Sequence, residues 1–138
     1  MGQRRRAREC AVQILYQMDT NALPVEQALG HFWGSFAEGE TDRAFVERIV
    51  RGATDNRAAI DERLATASKN WRLDRMPVVD RAILRAAAYE LLFCDDIPAR
   101  VAINEAIDIA KRFGSEESAP FVNGILDNLA GEKLAKAK

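Results

Sequence analysis

The chain carries one histidine, two cysteines and four prolines in 138 residues, and each scarcity closes a route. His31 has no second histidine or cysteine pair at ligand spacing, so no zinc-site pattern forms. It sits in the middle of a helical pattern with no serine or cysteine nucleophile placed to use it as a base. Cys10 and Cys94 lie in separate segments and read as reduced core thiols of a cytoplasmic protein. No apolar run approaches the roughly 18–20 residues of a membrane span. The N-terminal arginines are not followed by the apolar stretch of a signal peptide.

Other absences narrow the chemistry. Residues 34–40 contain two glycines but lack the Gly-Lys-Ser/Thr ending that brings a lysine to phosphates. No stretch alternates with the period of a strand, so no dinucleotide-binding strand–turn–helix is expected. Glu116 and Glu117 adjoin in a loop, where solvated charge is the default reading. No metal and no cofactor is expected, and the sequence reads as a binding module, not an enzyme. With a net charge of −1 there is no global field for nucleic acid, so any such contact must come from local clustering.

What is present is helical patterning: 48% hydrophobic and 30% charged residues, arranged at periods near 3.6. The fold class is all-α, with two three-helix sub-bundles in a single domain over 1–138. The N-terminal half covers about 1–68 and the C-terminal half about 77–132. In the first helix, over 3–19, Ala7, Ala11, Ile14, Leu15 and Met18 form the apolar stripe. Pro24 opens a second helix with Val25, Ala28, Leu29, Phe32, Trp33 and Phe36 facing the core. Thr41 or Asp42 caps a third helix running from Phe45 through Ile60 and Leu64 towards Ser68, with a bend at Gly52. Residues 68–77 form the boundary. Pro77 starts a fourth helix with Ile83, Leu84, Ala87, Ala88 and Leu91 inward and Asp80, Arg81, Arg85 and Glu90 outward.

The richest stretch is 101–127. Ile103, Ala106, Ile107, Ala110 and Phe113 recur on one stripe, and Gly114 stands where a left-handed cap would end the helix. Ser118 is placed to cap the next helix, with Pro120 in its first turn. Val122, Ile125, Leu126 and Leu129 form that helix's buried stripe. Phe121 lies roughly 90° off the stripe at about 100° per residue. Two readings of it are open: a rim residue over the core edge, or a ring stacking a base beside Lys111, Arg112 and Ser115. At the other end, Arg4, Arg5, Arg6 and Arg8 crowd the first turns of helix one, where they oppose the helix dipole. Either a frayed, solvated terminus or an anionic partner accounts for them. Tyr16 falls opposite the core stripe, in line with Arg5, Glu9 and Val12, as a contact patch would.

Four blocks carry a resemblance. Arg4-Arg-Arg-Ala-Arg-Glu-Cys-Ala-Val-Gln-Ile-Leu-Tyr16, Asp80-Arg-Ala-Ile-Leu-Arg-Ala-Ala-Ala-Tyr-Glu-Leu91, Val101-Ala-Ile-Asn-Glu-Ala-Ile107 and Phe121-Val-Asn-Gly-Ile-Leu-Asp127 look like the NusB transcription antitermination factors, in the family's order. The resemblance implies an all-helical protein that binds the boxA element of nascent ribosomal RNA with a small-subunit ribosomal protein, NusE. Such a complex joins other Nus factors on RNA polymerase and promotes read-through. It implies RNA contacts at Arg4, Arg5, Arg8, Phe113, Ser115 and Phe121, to which position along the chain adds Arg6 and Lys111. It implies partner contacts at Tyr16, Asp74 and Asp80. Some family members form homodimers. Some carry His-Lys before the corner aromatic, where this chain has Ala119-Pro120, so one phosphate contact is expected to be missing. Two alternatives remain: the RNA-binding domain of an rRNA methyltransferase, and a helical adaptor that binds protein only.

Overall fold

The computed structural model describes residues 2–35, 41–69 and 71–137, with side chains as far as Gly131. Phe36, expected on the second helix's stripe, lies outside the described residues. The elements are α1 (Gly2–Asn21), α2 (Val25–Ser35), α3 (Arg43–Asp55), α4 (Arg57–Ser68), α5 (Val78–Phe93), α6 (Ala99–Phe113) and α7 (Ser118–Ala137). A single 3-10 turn spans Leu73–Arg75. Among the described residues there is no strand.

Helices α1–α3 form one three-helix group and α5–α7 the other, and α5 joins the two groups, packed on α1 and α3 as well as on α6 and α7. The stretch expected as one helix with a bend at Gly52 is two helices. Asp42 caps α3, its Oδ1 accepting from the Phe45 amide at 3.1 Å. Asn56 ends it: the Asn56 backbone amide and side-chain Nδ2 both donate to the Gly52 carbonyl, at 3.1 and 2.9 Å. The chain restarts as α4, which packs on α5 and α7. Gly52 has another role, because a Cβ there would collide with the Tyr89 ring. The glycine lets α3 and α5 approach.

The interior follows the apolar stripes. Ile14, Ile49, Ile60, Leu64, Ile83, Leu84, Leu91, Leu126 and Leu129 are fully buried, each contributing about 1.5–3 kcal/mol relative to exposure. The larger departure concerns α5. Asp80, Arg85 and Glu90, expected to face outward, are buried, because a helix between two units has almost no solvent face. Each is partnered, as burial of charge demands. Arg85 Nε and Nη2 grip the Asp61 carboxylate at 2.9 and 3.0 Å, and Nη1 lies 3.3 Å from Asp19. Arg81 Nε donates to Asp19 at 2.8 Å.

Candidate nucleic-acid interface

Helix α1 presents its basic end alongside α6. Arg5 Nε and Nη2 donate to Glu105 at 3.3 and 2.8 Å, and Nη2 also reaches Asp108 at 3.3 Å. Glu105 is thereby held below its ordinary pKa, chiefly by that hydrogen bond. Glu9, buried on α1, is the hinge of the arrangement: it accepts from Arg6 at 3.3 Å and from Arg112 on α6 at 2.8 Å. Arg4 lies over the Phe45 ring, its guanidinium carbon 4.1 Å from the centroid. The basic cluster is therefore seated on acids and an aromatic, which offsets the unfavourable dipole of the helix start. Arg5 and Arg6 of α1 lie beside α6, through Glu105, Asp108 and the shared Glu9–Arg112 contact, whereas Arg4 lies against α3.

Arg8 is an exception and a correction. Expected as an RNA contact, it is 6% exposed and locked to Glu90 of α5, with Nε at 3.0 and 3.1 Å and Nη2 at 2.8 Å from the carboxylate oxygens. Its spacing from Ala7 and Ala11 already placed it at the edge of the buried stripe, so burial was a signal available in the sequence.

The corner between α6 and α7 is built by close packing. Gly114 is extended, at φ −94° and ψ −170°, so the expected left-handed cap does not form. Glycine is needed for space: a Cβ would crowd Ser118 and come within 2.8 Å of the Ala110 carbonyl oxygen. Ser118 turns inward and does not cap α7. Its hydroxyl donates to Asp80 Oδ1 at 2.7 Å and accepts from the Ser115 amide at 3.0 Å. Ser115 itself is exposed, its hydroxyl accepting from the Glu117 amide at 3.3 Å. Lys111 is exposed, and Phe113 is half-exposed with the Arg112 guanidinium 5.4 Å from its ring centroid. Phe113 therefore leaves the stripe assigned to it, and Ala102 and Ile109 take up the core face of α6.

Phe121 is half-buried and packs against the core edge, as a rim residue does. Its ring meets that of Trp71 in a T, centroids 5.4 Å apart. Sequence reasoning left Trp71 inside the boundary stretch. The available signal was an aromatic flanked by Lys69, Arg72 and Arg75.

The expected partner residues divide. Tyr16 is exposed and lines an apolar groove of about 260 Å³ with Arg6, Glu9, Val12, Gln13, Val79 and Phe113. Asp74 is exposed and pairs with the nearby Arg72 at 3.1 Å. Asp80, by contrast, is 4% exposed and spent on Ser118, so it cannot be a surface contact. The physical reason is its place in the first turn of a buried helix.

An all-helical binding domain with a basic cluster beside an aromatic-lined groove is the class that this fold and surface define. The sequence matches the NusB family model over residues 5–131, and the chain belongs to that family. It is 52% identical over 129 residues to the transcription antitermination protein NusB of Trichlorobacter lovleyi, covering 94% of this chain and 91% of that one. A solved NusB structure from T. maritima superimposes with a TM-score of 0.82 at 42% identity, covering 94% of this chain and 91% of that chain. A crystal structure of the antitermination factors NusB and NusE in complex with double-stranded RNA shares the fold, with a TM-score of 0.83 at 22% identity and coverage of 96% and 98%.

Proposed function

We propose that this chain is a transcription antitermination factor that binds the boxA element of nascent ribosomal RNA together with the ribosomal protein NusE. In this reading it acts in the cytoplasm, by binding and without catalysis. It joins other Nus factors on RNA polymerase and promotes read-through of terminators. The observation that carries the reading is the joint between α1 and α6: Arg5 on Glu105 and Asp108, and Arg112 on Glu9, hold the arginines of one helix beside the corner of another. The relatives' name and the NusB–NusE–RNA complex of a protein of the same fold support it.

Physical magnitudes favour a shared site. With Arg8 withdrawn, Arg4, Arg5, Arg6 and Lys111 remain as exposed or half-exposed cations. Three or four phosphate contacts on a single strand give a log–log salt slope of about −2 to −3. One stacked base on Phe121 adds roughly 1–3 kcal/mol. On a protein of net charge −1 that is modest affinity, and a second RNA-touching subunit supplies the rest through effective concentration. Tyr16, Asp74 and the groove beside Tyr16 form the partner face. Electrophoretic shifts of a boxA RNA, with and without NusE, test the reading: weak binding alone and tight binding with NusE are expected. Equal affinity in both conditions contradicts the shared site. No shift in either condition leaves a protein-only adaptor.

A further inference from the structure

The boundary stretch between α4 and α5 holds an aromatic that the proposed interface does not yet use. Trp71 is 54% exposed, more than any other large hydrophobic side chain among the described residues. It is held in place: the buried Ser68 donates its hydroxyl to the Trp71 carbonyl at 2.9 Å, and the indole meets Phe121 at an interplanar angle of 81°. A T-shaped contact occupies one ring's edge and one face of the other, leaving most of the indole surface open. Lys69, Arg72 and Arg75 around it are all exposed. Asp74 is the one acid among residues 69–75, so this short segment is locally basic on a protein of slightly negative net charge.

We infer that Trp71 is a second base-stacking platform, next to Phe121, with Arg72 and its basic neighbours contacting the phosphates of the same unpaired strand. The inference rests on the RNA-binding reading above and extends it across the α4–α5 boundary. Two aromatic rings at 5.4 Å, set at a right angle and bordered by cations, suit consecutive unpaired nucleotides of a flexible strand. The occupant is single-stranded RNA because the flanking charge is positive and the patch is continuous with Phe121 at the corner. A base contacted this way is held by its π-face, so the contact tolerates different bases.

The test uses the full chain with NusE and a fluorescein-labelled single-stranded boxA RNA. Trp71→Ala is expected to weaken binding about 5- to 100-fold, and Trp71→Phe to retain most of it. The salt slope is expected to stay unchanged in Trp71→Ala and to become shallower by about 0.7 in Arg72→Ala. A Trp33→Phe protein, whose remaining tryptophan is Trp71, is expected to lose indole fluorescence as RNA is added. That readout needs no variant at the site itself and stands even if Trp71→Ala misfolds. If the unmodified protein binds RNA while Trp71→Ala binds equally well and the indole signal stays flat, the platform is overturned and the antitermination reading stands. If Trp71→Ala weakens NusE binding and leaves RNA binding intact, the occupant is protein and the inference fails. If the unmodified pair binds no RNA at all, the broader reading fails first.

Discussion

Arg8 of α1 and Glu90 of α5 form a buried ion pair, three hydrogen bonds of 2.8–3.1 Å joining side chains 7% and 3% exposed. It lies where the first unit meets the central helix, with Arg8 also 5.1 Å from the Phe45 ring centroid. Taking both charges out of water costs several kcal/mol, which the paired geometry recovers only while both are present. Arg8→Ala should therefore lower stability by about 3–5 kcal/mol, whereas Arg8→Met with Glu90→Leu should come close to the unmodified protein. Urea unfolding of the two variants decides it. A loss below about 1 kcal/mol in Arg8→Ala would mean that the pair is not buried in solution.

Arg5 gives the contrasting case. Its side chain is 57% exposed, and its pairing with Glu105 and Asp108 is screened by solvent and contributes little to stability. Arg5→Ala should leave the melting temperature within a few degrees of the unmodified protein. It should flatten the salt dependence of boxA binding by about 0.7 in slope, one phosphate contact on a single strand. Phe121→Ala should instead weaken RNA binding and cost some stability, since the ring is half-buried on the core. Unchanged RNA affinity in both variants would remove the α1–corner surface from the RNA site.

Gly52→Ala separates helix propensity from packing. In an open helix the change would stabilise by about 1 kcal/mol. Here the new methyl meets the ring of Tyr89, which is itself stacked on Phe93 at a centroid distance of 5.7 Å and has little room to swing away. Overpacking of this kind costs typically 1–3 kcal/mol, so net destabilisation is expected. Adding Tyr89→Leu should recover part of it. A rise in the urea midpoint of Gly52→Ala alone would show that the ring moves freely.

Acid should destabilise the fold through its surface pairs. Asp96 is drawn from the ordinary 3.8 down to about 2, mainly by its hydrogen bond from Arg48. Glu105 and Glu26 are lowered from 4.5 by Arg5 and Arg51 respectively. Each folded value lies below the unfolded one, so the stabilisation is complete above the unfolded value and disappears as pH falls through the folded one. The melting temperature should decline as pH drops from about 5 to about 2. Asp96→Asn should be less stable than the unmodified protein at pH 7 and converge with it near pH 2. Because these groups are exposed, high salt should shrink the difference. Identical pH profiles for the two proteins would remove the Arg48–Asp96 pair from the acid response.

The apolar stripes of α1, α2 and α7 were readable because hydrophobic periodicity is local: Ile14, Leu29 and Leu126 are buried as their spacing requires. The polar residues of α5 were not, because their burial depends on how many neighbours the helix has. Nothing in 78–93 says that α1 and α3 will cover the face carrying Arg85 and Glu90. The break at Asn56 was hidden for a related reason. Its cap is made by the asparagine's own side chain, and periodicity runs across it unchanged through Ile49, Ala53, Ile60 and Leu64. At the candidate site, Arg4 and Arg5 are legible as exposed groups from charge clustering, whereas periodicity puts Phe113 on the buried stripe and only the resemblance names it as a contact. Glu9 stands within one turn of Arg6, but Glu105 and Asp108, which hold Arg5, come from another helix, and only the fold brings them there.

Asp80 shows how a residue can influence a surface without reaching it. Its carboxylate takes the Ser118 hydroxyl at 2.7 Å, and Ser118 in turn takes the Ser115 amide, so the start of α5 fixes the loop between α6 and α7. Removing the hydroxyl leaves a buried carboxylate oxygen without its donor, at a cost of about 1–3 kcal/mol. Ser118→Ala should therefore lower stability by about that amount and weaken boxA binding, because the corner that presents Ser115 loses its anchor. Binding of NusE should change little. Asp74→Lys should behave in the opposite way, since Asp74 is exposed and makes no buried contact: unaltered melting, intact RNA binding at saturating NusE, and weaker NusE affinity. Calorimetric titration of NusE into each variant distinguishes them. Should Ser118→Ala lose NusE and Asp74→Lys lose nothing, the partner face lies along the start of α5 and not along the preceding turn.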